Sequence, residues 1–305
     1  MSVPDWLAEL GPVERATLLP GGASKEAWAV DVDGQELLLR RAGGGVIHRY
    51  TLSLRDEFRV LQVAHEAGVK VPRPLAYYPD LGGREAFTME RVPGETIGRR
   101  IVRDPPAALP AQMAEELARI HAIPAERLPF LGLGDPVRTM RDELDSVDEP
   151  HPAIELGLAW VDERLRRDRA PVVTHGDWRI GNLVVTVRGL EYVLDWEFAR
   201  LSDPADDVSW PLVRAWRFGA DDRRLGGVGE VEPYLERYNE LTGRDVSLEE
   251  LAVWEVLGNA KWAVGCLTQA RRHLRGEDRS VEYAVLGRMA AEMEYELLDL
   301  IERHG

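Results

Sequence analysis

His175-Gly176-Asp177-Trp178-Arg179-Ile180-Gly181-Asn182 sits between two short apolar runs, Val172-Val173-Thr174 before it and Tyr192-Val193-Leu194 after it, and the second run ends on Asp195. An apolar strand leading to an acid, then an amide, then a second strand ending in an acid, is the order a phosphoryl-transfer site requires. The transition state spreads negative charge over the transferred oxygens, so the protein must supply positioning and a divalent metal rather than covalent chemistry. One carboxylate orients the accepting hydroxyl or takes its proton, while an amide oxygen and a second carboxylate suit hard Mg²⁺. Taken singly, His175 and Asp177 read as strand caps and Asn182 as a turn former. The ordered set with this spacing is what points to chemistry.

Upstream, a short helical lead-in gives way to Gly21-Gly22-Ala23-Ser24, a glycine turn running into a strand that ends at Val32. Asp33-Gly34 supplies the positive φ angles of a type I′ hairpin turn, and Glu36 to Arg40 is the returning strand. From Ser53, Leu54, Phe58, Leu61 and Ala64 recur at helical spacing until Gly68, and short strands follow around Leu75 to Tyr78 and Glu85 to Met89. Beyond Pro93-Gly94 the texture becomes helical: Met113, Leu117 and Ile120 mark one amphipathic helix, and segments 151–168, 231–242, 248–275 and 281–303 others. The chain therefore reads as an α+β protein of two lobes. Residues 1–91 form a small, mainly antiparallel sheet carrying one helix, and residues 92–305 form a larger helical lobe that contains the motif.

The 305 residues and their apolar fraction of 45% suffice for a substantial core, which excludes a disordered or fibrous chain. The single cysteine, Cys266, excludes a disulfide framework and a cysteine-based zinc cluster, and the histidines show no zinc-like spacing. A formal charge of -15 argues against a nucleic-acid or anionic-membrane partner. The opening residues lack a signal-peptide pattern and no apolar run is long enough to span a bilayer, so the cytoplasm is the expected compartment.

The motif resembles the H-G-D-x-x-x-x-N catalytic loop of the aminoglycoside phosphotransferase and choline kinase group, which has a protein kinase-like fold. Leu194-Asp195-Trp196-Glu197 resembles the metal-binding D-x-E element of that group, and Asp203-Pro204-Ala205-Asp206-Asp207-Val208 resembles its G-D-P-x-x-D-L stretch. The likeness covers residues 15–300. It implies an ATP- and Mg²⁺-dependent enzyme with Asp177 as catalytic base, Asn182 and Asp195 as metal ligands, and Asp207 as a buried acid buttressing the loop. Gly22 and Ser24 fall where the group places its nucleotide loop. Glu90 and Val92 fall at the hinge, whose backbone holds adenine. Arg40 stands where the strand lysine is usual, and Glu57 on the following helix is its candidate ion-pair partner. An arginine fork is not an ammonium point charge. It motivates a second reading, a nucleotide-binding regulator without turnover, against which the intact Asp177, Asn182 and Asp195 argue.

The accepting molecule is expected to be a small hydroxyl compound. Between Trp210 and Leu274 the acids are interleaved with arginines rather than gathered into the acidic patch that a polycationic antibiotic would need. Together with a likeness of the terminal helices to phosphotransferase-family proteins associated with acyl-CoA metabolism, this favours a hydroxyacyl thioester over an aminoglycoside. The stripe Trp210, Trp216, Trp254 and Trp262 reads as core before it reads as a substrate cage.

Overall fold

The computed structural model describes residues 4–19, 25–43, 50–277 and 281–305. The first lobe is built on β1 (Val13–Leu18), β2 (Lys25–Val32), β3 (Gln35–Ala42), helix α1 (Leu54–Glu66), β4 (Pro74–Tyr78) and β5 (Ala86–Glu90). The strands form one antiparallel sheet in the order β1-β2-β3-β5-β4. Asp33 and Gly34 both take positive φ, at 53° and 73°, so the two-residue turn sets Val32 opposite Gln35 and fixes the register of the whole β2–β3 hairpin. Strand β1 has no counterpart in the sequence reading. It is an edge strand, mostly exposed, and Glu14 and Arg15 hide its period. Helix α1 starts where Ser53 accepts a hydrogen bond from the Asp56 N–H, and it lays Phe58 on the sheet 5.6 Å from Phe87, centroid to centroid.

The second lobe holds α2 (Gly98–Ile101), α3 (Leu109–His121), α4 (Pro136–Val147), α5 (Pro152–Arg164), α6 (Pro204–Ser209), α7 (Val231–Thr242), α8 (Leu248–Leu274) and α9 (Val281–His304). Helix α4 escaped the sequence reading although Asp135 caps it, Pro136 opens it, and Val137, Met140, Leu144 and Val147 form a buried stripe. Two small ribbons are set into this lobe, β6 (Val172–Thr174) paired with β9 (Arg200–Ser202), and β7 (Leu183–Thr186) paired with β8 (Gly189–Val193). Among the described residues no helix is long and apolar enough to cross a membrane.

One continuous core runs from α1 and β5 through the ribbons into α8 and α9. Its axis is α8, whose buried side includes Leu251, Trp254, Leu257 and Val264. Ser247 and Glu250 start that helix as a reciprocal capping box, each side chain bonding the other's backbone N–H. Removing the hydroxyl with Ser247→Ala is expected to lower the unfolding free energy by about 1 kcal/mol. Urea denaturation reads this as a lower midpoint with an unchanged slope; an unmoved midpoint would mean that tertiary contacts alone hold the start of α8.

Candidate active site

The loop after β6 is shaped by one carboxylate. Asp207, on α6 and fully buried, accepts the backbone N–H of His175 at 2.6 Å and that of Gly176 at 2.8 Å. Burial by itself would raise its carboxyl, but the hydrogen bond and charge of His121 outweigh this and hold it below the usual range. His121 also meets the Tyr238 hydroxyl at 2.6 Å, so it is part of the buttress rather than an inert helix residue. Gly176 turns the chain at φ +79°, and a Cβ there would lie 2.1 Å from the Phe198 carbonyl oxygen, so only glycine fits.

His175 then ties the two acid-bearing segments together. Its Nδ1 accepts the Asp177 N–H at 3.2 Å, which leaves the proton on Nε2, and Nε2–H donates to the Leu194 carbonyl at 2.9 Å. Asn182 makes a second tie. Its amide nitrogen donates to Asp177 Oδ2 at 2.6 Å and to the Asp177 carbonyl at 2.9 Å, while its own carbonyl accepts the Leu194 N–H at 2.8 Å. With that nitrogen committed, the side-chain oxygen of Asn182 is the atom left for a cation. Asp195 follows at φ 64°, a left-handed conformation uncommon for a side chain with a Cβ and concentrated at functional sites. The structure thus bonds Asn182 directly to Asp177 and to Leu194, the residue that precedes Asp195.

Four buried or half-buried charges surround Asp195. Arg40 Nη1 donates to Asp195 Oδ1 at 3.0 Å and lies 3.4 Å from Glu57 Oε1; the Arg40–Glu57 ion pair expected from sequence is present. Glu57 is 1% exposed, so it is not a solvated helix-face acid. Its closer partner, however, is Lys25 on β2, whose Nζ reaches Glu57 Oε2 at 2.7 Å and Glu197 Oε2 at 3.0 Å. The site therefore has a lysine after all, from the strand beside the one where the sequence reading looked for it. The signal was available, since a two-residue turn at Asp33-Gly34 sets Ala27 opposite Arg40 and Lys25 opposite Ala42, on one face of the pleat. Burial lowers the guanidinium's preference for its charge, but the fields of Glu57, Asp195 and Glu197 more than reverse this and push the Arg40 pKa up. At Asp195, Arg40 likewise overcomes burial and holds the carboxyl low, whereas burial and the Asp195 charge push Glu197 up.

Glu90, the last residue of β5, donates its N–H to the Arg73 carbonyl at 2.9 Å, and Val92 follows just beyond the end of that strand. Gly22 and Ser24 lie outside the described residues.

On the other side of Asp177, Trp210 Nε1–H donates to Oδ1 at 2.7 Å and Arg179 Nε–H lies 3.1 Å from both carboxylate oxygens. Arg179 stacks over Trp216, and Lys261 sits 4.2 Å above the Trp210 ring with its Nζ 3.3 Å from the Gly176 carbonyl. Burial pushes the Lys261 ammonium down to about 8, with Arg200 adding to the effect. Trp216 and Trp262 follow at 4.6 Å between centroids; Trp210, Trp216 and Trp254 are all buried in the core, as the sequence reading put first, and Trp262 is the half-buried member of the stripe. The arginines of 210–274 need correcting as a cationic surface. Arg217 and Arg224 pair with Glu255, Arg214 with Asp221 and Glu296, and Arg237 with Glu115. Beside Asp177 stand Arg179, from the motif itself, and Lys261, which with Trp262 is a pairing of cation and aromatic side chain that the sequence of this stretch already offers.

The family model described as the phosphotransferase enzyme family matches residues 15–257. Mouse acyl-CoA dehydrogenase family member 10 is 27% identical over 249 residues, which is 71% of this chain and 23% of that protein, so the chain spans about a quarter of this relative's length. A Ralstonia eutropha JMP134 structure named as a candidate aminoglycoside phosphotransferase superposes with a TM-score of 0.76 at 19% identity, covering 98% of this chain and 96% of that one. A choline/ethanolamine kinase family protein from Mesorhizobium loti superposes with a TM-score of 0.65 at 17% identity, over 94% and 88% of the two chains. The fold is thus that of the kinase-like phosphotransferases, and with its family model matched over well more than half its length, the chain belongs to the phosphotransferase enzyme family.

Proposed function

We propose that the protein transfers the γ-phosphoryl group of ATP to a hydroxyl group of a small molecule in the cytoplasm. The observation that carries this reading is the bonding of Asn182 to Asp177 through its side chain and to the Asp195 segment through its backbone, which fixes a proton acceptor beside a cation-binding pair. Asp177 orients the incoming hydroxyl and takes its proton as the new O–P bond forms. Its carboxylate is aimed by Trp210, Arg179 and Asn182, so it meets the acceptor in one orientation. Asn182 Oδ1 and the Asp195 carboxylate are hard oxygen donors of the kind Mg²⁺ takes. A Mg²⁺ held there would take its remaining positions from phosphate oxygens and water. When bound, ATP with Mg²⁺ supplies the transferable group and offsets its charge. Arg40 faces the same place, and the backbone of Glu90 and Val92 would receive adenine.

For the acceptor, the same reading favours a hydroxyacyl thioester over an aminoglycoside. Arg179 and Lys261 set cations beside Asp177, backed by the buried Trp210 and Trp216 and the half-buried Trp262, while Glu255 and Glu296 are already neutralised by arginines. A polyamine would meet like charge there, whereas an acyl chain on an anionic carrier would be attracted. The matched relative is itself named for an acyl-CoA enzyme.

Three measurements test this. Asp177→Asn is expected to reduce turnover by about 10²–10⁴-fold with magnesium-ATP affinity almost unchanged, because the lost charge faces the acceptor; near wild-type turnover would remove Asp177 from its role. Asp195→Ala is expected to abolish the magnesium dependence of nucleotide binding in calorimetry, and an unchanged dependence would exclude it as a ligand. Steady-state kinetics with kanamycin, choline and a hydroxyacyl-CoA are expected to favour the last. An aminoglycoside kcat/KM of about 10⁴ M⁻¹s⁻¹ or more would overturn the acceptor assignment.

A further inference from the structure

The task that one strand lysine usually performs is spread here over two cations with different surroundings. Lys25 is 3% exposed along its side chain; its ammonium donates to Glu57 Oε2 at 2.7 Å and to the Leu52 carbonyl at 3.5 Å, and it lies 3.0 Å from Glu197 Oε2 as an ion pair without a hydrogen bond. Arg40 is the more open of the two, at 16%, and it only grazes Glu57 at 3.4 Å. Its short contact, 3.0 Å, is to Asp195, which is 33% exposed and borders the cleft. The Nε of Arg40 is buried without a hydrogen-bond partner.

We propose that Lys25 and Arg40 divide the strand lysine's work: Lys25 is a positioning residue that holds Glu57 and Glu197, and Arg40 is thereby kept at Asp195 as the cation that meets the nucleotide's phosphates. This rests on the nucleotide-site reading above. Three carboxylates, Glu57, Asp195 and Glu197, compete for two cations in a space with little water, where each buried charge needs a partner. Lys25 satisfies two of them. Without it Arg40 is the one described cation left among all three, and the buried Glu57 and Glu197 draw its fork inward, away from Asp195. An arginine kept at the cleft edge can offer two parallel donors to phosphate oxygens, a geometry that an ammonium lacks. The arrangement also explains the substitution on β3, since a lysine at position 40 would be superfluous for Glu57 once Lys25 has it.

The test is calorimetric titration of magnesium-ATP, with thermal unfolding in parallel, on wild type, Lys25→Met, Lys25→Arg and the double variant Lys25→Met/Glu57→Gln. Lys25→Met is expected to weaken magnesium-ATP binding by about tenfold or more, and to raise KM for ATP while leaving KM for the acceptor in place. Lys25→Arg should regain most of the affinity. The double variant should bind better than Lys25→Met, because the acid that misdirects Arg40 has also lost its charge. Magnesium-ATP affinity in Lys25→Met within about twofold of wild type overturns the inference, as does a Lys25→Arg variant no better than Lys25→Met. Should Lys25→Met fail to fold, Lys25→Gln takes its place under the same two criteria. A wild-type protein that binds no magnesium nucleotide would sink the phosphotransferase reading and this inference together; normal wild-type binding with an indifferent Lys25 sinks only the second.

Discussion

The Asp207 carboxylate takes two consecutive backbone N–H groups, those of His175 and Gly176, deep in the second lobe. Charge-assisted bonds of this kind are about twice as strong as neutral ones, and a buried carboxylate that lost them would be left without solvation. The donors it grips belong to the two residues that precede Asp177, so its position sets the path of the whole loop. From there the constraint spreads through His175 to the Leu194 carbonyl and through Asn182 to the Leu194 N–H. Asp177 and Asp195 lie on separate segments, yet neither can shift without straining bonds that end on Asp207.

A second set of charges joins the sheet lobe to this frame. Lys25 and Arg40 come from β2 and β3, Glu57 from α1, and Asp195 and Glu197 from the loop after β8. The Leu52 N–H adds a backbone bond to the Glu197 carbonyl, and the Val193 N–H one to Lys70. Buried ion pairs of this type contribute little net stability, because desolvation offsets most of their attraction. What they supply is specificity of placement: the first lobe docks where its two cations meet Asp195 and Glu197 of the second, and that docking holds Arg40 at Asp195.

The motif around Asp177, the helix carrying Glu57 and the long helices of the second lobe were legible because each is a local pattern, a strand ending in an acid or an apolar period of 3.6. Strand β1 was not, since an exposed edge strand keeps no clean alternation. Helix α4 was legible and went unread, its cap and buried stripe being present in Asp135 to Val147. Lys25 falls between these cases. A basic residue after a glycine turn says nothing by itself, and it acquires meaning only when the hairpin register places it beside Arg40.

The sequence by itself determined the two-lobed α+β architecture and the spacing that sets Asp177, Asn182 and Asp195 around two short strands, because those depend on residue type and spacing within one stretch of chain. Tertiary structure alone decided which cation holds Glu57, that Trp210 and Arg179 aim the Asp177 carboxylate, and that Arg214, Arg217 and Arg224, all ahead of α7, are consumed by Glu255 on α8 and Glu296 on α9. The physical reason is that a charge is defined by what neutralises it. Partners of buried charges come from segments far apart in the chain, and a few ångströms, which no local pattern encodes, separate an ammonium that grips a carboxylate from a guanidinium that only passes near it.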